Sequence, residues 1–490
     1  MENKLRLANE FVEQNASTVN PLYRPVFHAV PPIGWINDPN GFGQYKGTYH
    51  LFAQFYPYKP IPGPMHWGHW TSADLVDWRW VSAAIAPEDP YDNLGCFSGT
   101  SIEDGDRMII MYTGVHRAED GHVIQEQCIA ESADGVHFTK WAENPVLGAK
   151  DLPEGFSDVD FRDPKLMKTA DGYRVIIAGR NEQGGCQLLY TSKDLKSWTF
   201  AGIFLKDISD MPECPDYFRC DGKDVMITSA MNLPPEGLRF QNGHHDVVYL
   251  IGTEQDNQLK NIERMESVDL GPDFYAPESI VTADGRNVMI GWMQMWGEDS
   301  PAHYLGHGWT GANTVARELF LREGRLYQRP VRELAGLHGE ELTFENVRVD
   351  GDTPIPGLSG RCYEMDITLR VDAEKQAEIR VLQTGDECFR IHYDPATQVI
   401  TTDRTQCGHT MGQEGLLEEK PNGKAKLWGD DPQRLDLKIL VDTCSVEVFV
   451  NGGAVALTTL AFPRDAAEGI SFAGHFTIEK LTRWAIGGGV

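Results

Sequence analysis

Ser72-Ala73-Asp74-Leu75-Val76-Asp77-Trp78 comes back twice along the chain, as Ser132-Ala133-Asp134-Gly135-Val136-His137-Phe138 and as Ser192-Lys193-Asp194-Leu195-Lys196-Ser197-Trp198. Each serine lies 60 residues after the one before it. A polar turn and an aromatic recurring at one period mark a repeated antiparallel unit, as in the blades of a propeller. The residues between the repeats agree. Met108–Tyr112 is an apolar run after the turn Asp104-Gly105-Asp106, and Tyr173–Ala178 follows Asp171-Gly172. Val225–Thr228 follows Asp221-Gly222, and Val288–Trp292 follows Asp284-Gly285. With the hairpin around Lys46-Gly47, these turns predict about five units before residue 330. Residues 1–25 read as a short helix and a lead-in.

The pattern changes near residues 330–345. Val331-Arg332-Glu333-Leu334 is helical in character. Beyond it, Tyr363–Leu369 and Ser445–Val450 alternate with period two, as strands with one wet face do. The sequence predicts an all-β protein: a propeller over residues 1–335 and a C-terminal β-sandwich over residues 345–490.

Three acids stand in proline-stiffened loops. Asp38 precedes Pro39 in Trp35-Ile36-Asn37-Asp38-Pro39-Asn40-Gly41, Asp163 precedes Pro164 in Phe161-Arg162-Asp163-Pro164, and Glu213 lies between Pro212 and Pro215. A residue before proline is held away from helix, which presents its side chain at a stiff bend. Two carboxylates flanking a bond are the equipment of glycoside hydrolysis, one ionised and one protonated. Asn37 beside Asp38 is a donor that favours the anion there, while burial and like charge would keep Glu213 protonated. Trp35, Trp67, Trp70 and Phe97 lie near these motifs and are of a type that stacks on sugars.

The formal net charge is −28, from 44 Lys and Arg against 72 Asp and Glu. That field disfavours nucleic acid and anionic membranes and suits a neutral substrate. No apolar stretch has the length of a signal core or a membrane span, so a cytoplasmic location is expected. Nine cysteines without a Cys-x-x-Cys pair suggest neither a zinc site nor a disulfide framework. His66 and His69, with Trp and Gly between them, read as structural or substrate-contacting, not as a metal pair. No cofactor or metal is implied.

These motifs resemble family 32 of the glycoside hydrolases, the invertase, phosphosucrase and fructanase family. The resemblance runs over nearly the whole chain and implies a five-bladed β-propeller followed by a β-sandwich. It implies Asp38 as nucleophile, Glu213 as acid/base and Asp163 as transition-state stabiliser. Asn37, Gln54, Trp67, Phe97, Ser98 and Arg162 fall where the family contacts sugar. The expected activity is retaining hydrolysis of a terminal fructofuranoside in sucrose, sucrose 6-phosphate or short fructooligosaccharides. A fructosyltransferase or an intracellular fructanase is the alternative. Ala53, Trp70, Met211-Pro212 and Glu278 depart from the usual pattern, and Trp70 is expected to narrow the mouth of the pocket.

Overall fold

The computed structural model describes residues 3–243, 245–412 and 422–487. Helix α1 (Lys4–Asn15), capped by the Asn3 side chain, lies against the first blade through Ala8 and Val12. The first blade is β1 (Gly34–Tyr45), β2 (Thr48–Tyr56), β3 (His66–Ser72) and β4 (Arg79–Ile85). The second is β5 (Gly95–Asp104), β6 (Arg107–Arg117), β7 (Val123–Ser132) and β8 (Thr139–Lys140). The third is β9 (Phe156–Thr169), β10 (Gly172–Asn181), β11 (Gly184–Ser192) and β12 (Trp198–Lys206). The fourth is β13 (Met211–Cys220), β14 (Lys223–Met231), β15 (His245–Gln255) and β16 (Gln258–Ser267). In the fifth, β17 (Tyr275–Val281) and β18 (Asn287–Trp292) come first. A detour then carries β19 (Trp309–Thr310), and β20 (Arg317–Arg322) and β21 (Arg325–Pro330) complete the blade. The detour closes the ring, because β19 pairs in parallel with β1, Gly34 against Trp309.

The 60-residue repeat is one corner of this ring seen three times. Ser72, Ser132 and Ser192 are the last residues of β3, β7 and β11. In each case the aspartate two residues later folds back and accepts the backbone N–H groups of the turn. Val76 and Asp77 donate to Asp74, Val136 and His137 to Asp134, and Lys196 and Ser197 to Asp194. This is an Asx turn, which sets the corner locally. The fourth blade departs from the repeat for a local reason. Asp256 and Asn257 are both left-handed there, making a tight two-residue hairpin in place of the Ser-x-Asp loop.

The C-terminal unit opens on the strand His338–Asp350, straight after a short 3-10 helix at Arg332–Leu337. Its two layers share one long strand, Gly469–Ile486, which bends across both. One stretch pairs with Ala377–Thr384, the next with Tyr363–Val371. The strand Ser445–Val450 is buried at every position, so it has no wet face as its alternation suggested. The propeller covers that face, and the polar member of the pattern, Glu447, meets buried charges there.

Those charges weld the two units. His28, ahead of the first blade, has Nδ1 2.8 Å from Asp442 and Nε2 2.9 Å from Glu447. Arg317 of β20 binds the same Glu447 and reaches Asp269 at 2.8 Å. Burial pushes the His28 pKa down. Hydrogen bonds to Asp442 and Glu447, and their charges, outweigh it and hold the ring up at about 9. A histidine whose folded pKa is raised gives stability that is complete below its unfolded value near 6.5 and is lost as pH rises through the folded one. We expect the melting temperature to fall between about pH 6.5 and pH 9 in the intact protein. In a His28→Gln variant this fall should shrink while the protein is destabilised at pH 7 by about 3 kcal/mol, since one partner leaves a buried charged network. An alkaline limb unchanged in the variant would assign the titration to another group.

Candidate active site

In all five blades the innermost strand is interrupted in the same way. The register of β1 against β2 slips between Ile36 and Pro39, and that of β5 against β6 between Phe97 and Gly99. It slips between Arg162 and Lys165 in β9, between Glu213 and Asp216 in β13, and between Tyr275 and Glu278 in β17. These are β-bulges, which re-aim side chains at the rim of a closed sheet assembly. Proline makes the break in four of them, as Pro39, Pro164, Pro215 and Pro277, since it offers no N–H to the ladder. In the second blade Gly99 stands in its place. A Cβ there would lie 1.9 Å from the Met111 carbonyl oxygen, so only glycine fits. Asp163 and Cys214 sit at φ 62° and 45°, a left-handed backbone uncommon for residues with a side chain.

The breaks bring the three acids together at one end of the central channel. Asp38 is oriented by a chain from the first blade. The Trp35 indole N–H donates to Asn37 Oδ1 at 2.8 Å, and Asn37 Nδ2 donates to Asp38 Oδ1 at 3.1 Å. Its other oxygen accepts from Ser98 Oγ at 2.6 Å and Gln54 Nε2 at 3.2 Å. Glu213 is clamped on both oxygens. Arg162 donates to Oε1 from Nε at 3.0 Å and from Nη2 at 2.8 Å, and the Tyr275 hydroxyl donates to Oε2 at 2.7 Å. Asp163 accepts the Cys214 backbone N–H at 3.1 Å. The Cys214 thiol lies 3.6 Å from Asp163 Oδ2 and 3.9 Å from Asp38 Oδ2, which places these two acids on either side of the residue next to Glu213.

Burial dominates the electrostatics. It raises Asp38 to about 6 against the hydrogen bonds from Ser98 and Asn37, with the charge of Glu213 adding to the rise. The neighbouring amide does favour the anion, as its position in sequence suggested, but desolvation is the larger effect. Asp163 rises to about 7 through burial and the Glu213 charge, against the pull of Arg162. Asp38 and Asp163 therefore hold on to their protons closer to neutrality than exposed aspartates do. Tyr275 is pushed well above the ordinary phenol range by burial and by Glu213, so it stays a donor.

Other sequence expectations fare differently. Asn37, Gln54, Ser98 and Arg162 all touch the acids or one another. Phe97 is half-buried against the apolar cluster that includes Trp35. Trp67 is not a sugar platform: it is fully buried, its N–H goes to the Phe97 carbonyl, and it packs on Phe52 and Tyr112. Trp70 does not reach the mouth. It pairs across from Leu51, three residues down the strand from the Trp67–Gln54 pair, and stacks edge-on against Trp80 inside the blade. At about 3.3 Å per residue, that puts it about 10 Å from the site end. His69 meets His50 at 3.0 Å in the same interior, and burial holds both histidines low and neutral. Among the described residues no group of His, Cys, Asp and Glu is placed to hold a metal, and no helix is long and apolar enough to cross a membrane. Tyr275 was not legible as a site residue. Its only signal was the Ala276-Pro277 step after it, which repeats the acid-proline pattern without an acid.

Comparison with known proteins agrees with this geometry. Residues 28–330 match the glycosyl hydrolases family 32 N-terminal domain, and residues 333–485 match the family's C-terminal domain. A raffinose invertase of Escherichia coli is 34% identical over 485 residues, covering 97% of each chain. A sucrose-6-phosphate hydrolase of Zymomonas mobilis is 33% identical, covering 94% of this chain and 92% of its own. Among solved structures, a Bombyx mori GH32 beta-fructofuranosidase mutant in complex with sucrose superposes with a TM-score of 0.85 at 30% identity, covering 99% of this chain and 98% of that one.

Proposed function

The chain belongs to family 32 of the glycosyl hydrolases, and from that premise we propose that it is a retaining β-fructofuranosidase whose substrate is sucrose. It is a glycoside hydrolase. The observation that carries the finer reading is the pairing of Asp38, held on both oxygens by Asn37, Ser98 and Gln54, with Glu213, held on both oxygens by Arg162 and Tyr275.

Each carboxyl then has one task. Glu213 gives its proton to the glycosidic oxygen while Asp38 attacks the anomeric carbon of fructose, forming a fructosyl ester and releasing glucose. Glu213, now the base, takes a proton from water, whose oxygen attacks the same carbon and frees Asp38. Asp163 accepts from fructose hydroxyls, and the Cys214 N–H keeps it aimed.

The charge balance favours a neutral disaccharide over its phosphate. Arg162, the guanidinium in contact with the acids, is already bonded to Glu213, Asp160 and Gln125. Arg239 is taken up on the fourth blade, where it donates to the Met265 carbonyl and Glu236. A phosphate entering the site would face three carboxyls and a net −28 background. Purified protein should release fructose from sucrose, with kcat/KM at least about tenfold above that for sucrose 6-phosphate, or roughly 1.4 kcal/mol. No fructose from sucrose defeats the proposal. A preference for the phosphate defeats the charge argument alone.

A further inference from the structure

One step along each innermost strand from the breaks lies a second ring. Asn40, Thr100, Lys165, Asp216 and Glu278, one from each blade, are all buried. They join the blades in a closed circuit. The Gly99 N–H donates to Asn40 Oδ1 at 3.3 Å, and Thr100 Oγ1 donates to the Pro164 carbonyl at 2.9 Å. Lys165 Nζ lies 2.5 Å from Asp216 Oδ1 and donates to the Ser279 carbonyl at 2.9 Å. The Phe42 N–H donates to Glu278 Oε2 at 2.9 Å, which returns the circuit to the first blade.

The cavity bordered by both rings measures about 20 Å³ and is lined by Asp163 and Cys214 as well as Asp216 and Glu278. That volume takes a water molecule and no part of a sugar. Lys165 and Asp216 therefore act on the reaction, if at all, through the acids next to them. Lys165 is two residues from Asp163, and Asp216 is three from Glu213. Buried ion pairs add little to stability compared with apolar residues of the same volume. This one does bridge two bulges whose left-handed residues cost of order 1 kcal/mol each and persist only where their surroundings hold them.

We propose that the Lys165–Asp216 ion pair is a positioning unit for catalysis, tying β9 to β13 so that Asp163 and Glu213 face one anomeric carbon. The inference rests on the roles proposed above for those two acids. Sucrose turnover by the wild-type protein tests those roles, and variants test the pair. The double variant Lys165→Met/Asp216→Leu removes both charges at similar volume. It should melt close to wild type and bind sucrose with KM within twofold, yet lose at least tenfold in kcat. A pair that served only as a strut would leave kcat intact in the folded double variant, and that result overturns the proposal. Should the double variant not fold, Asp216→Asn decides, because it keeps the shape and a weaker Lys165 contact. A kcat lowered at least threefold at unchanged KM supports positioning, and an unchanged kcat refutes it.

Discussion

Asp38→Asn should leave a folded protein with less than about 1/10,000 of the wild-type kcat on sucrose, a loss of at least roughly 5.5 kcal/mol in transition-state stabilisation. The amide is isosteric and can keep the contacts with Ser98 and Gln54, but it cannot form the fructosyl ester. The variant should also be no less stable than wild type at pH 7. Burial raises the Asp38 pKa to about 6, so the folded protein holds this anion at a cost that asparagine does not incur. Activity and stability thus move in opposite directions, which a general loss of folding cannot imitate. The same pKa sets the acid limb of the wild-type pH profile. The nucleophile must be ionised, so kcat/KM should fall as pH drops through about 6, well above the ordinary aspartate range near 3.9. A limb near pH 4, or turnover retained in Asp38→Asn, removes Asp38 from the role.

The three acids were legible because each sits in a peculiar local chemistry. A carboxylate before or between prolines reads as a presented side chain without any tertiary information, and the bulges confirm that the backbone breaks there. The propeller was legible through its corners, since an Asx turn is satisfied within a few residues and leaves its signature in sequence. What failed was anything that depends on which face of a strand looks inward. Trp67 and Trp70 are two of four aromatics near the motifs, and aromatic character does not distinguish a sugar platform from the core of a blade. On β3 both turn into the blades. Ser445–Val450 alternates as a half-exposed strand does, but a neighbouring unit covers its polar side, and only the docked propeller explains a buried glutamate. The inner ring stayed hidden for a related reason. Lys165 and Asp216 look like ordinary surface charges until five distant segments close around one axis. The second blade breaks its strand with glycine instead of proline, which masks the fivefold recurrence.

Glu213→Gln separates the two chemical steps. Glutamine preserves the frame: its amide oxygen can accept from Arg162, and its nitrogen can donate to the Tyr275 oxygen. It has no proton to give and cannot take one from water. On sucrose, where the leaving glucose oxygen needs protonation, kcat should fall by about 10³-fold to 10⁴-fold, toward the upper end for a single acid/base group. On a nitrophenyl β-fructofuranoside the leaving group departs without help, so attack by Asp38 proceeds. The second step then stalls for lack of a base. The variant should show a burst of about one nitrophenol per active site. Intact-mass measurement should find one fructosyl residue added to the protein, on Asp38. Removing this carboxylate also removes a charge that raises both Asp38 and Asp163, so the acid limb of the burst rate should move below pH 6. A loss of equal size on both substrates, without a burst, would leave Glu213 as a binding residue and place the acid elsewhere in the cluster.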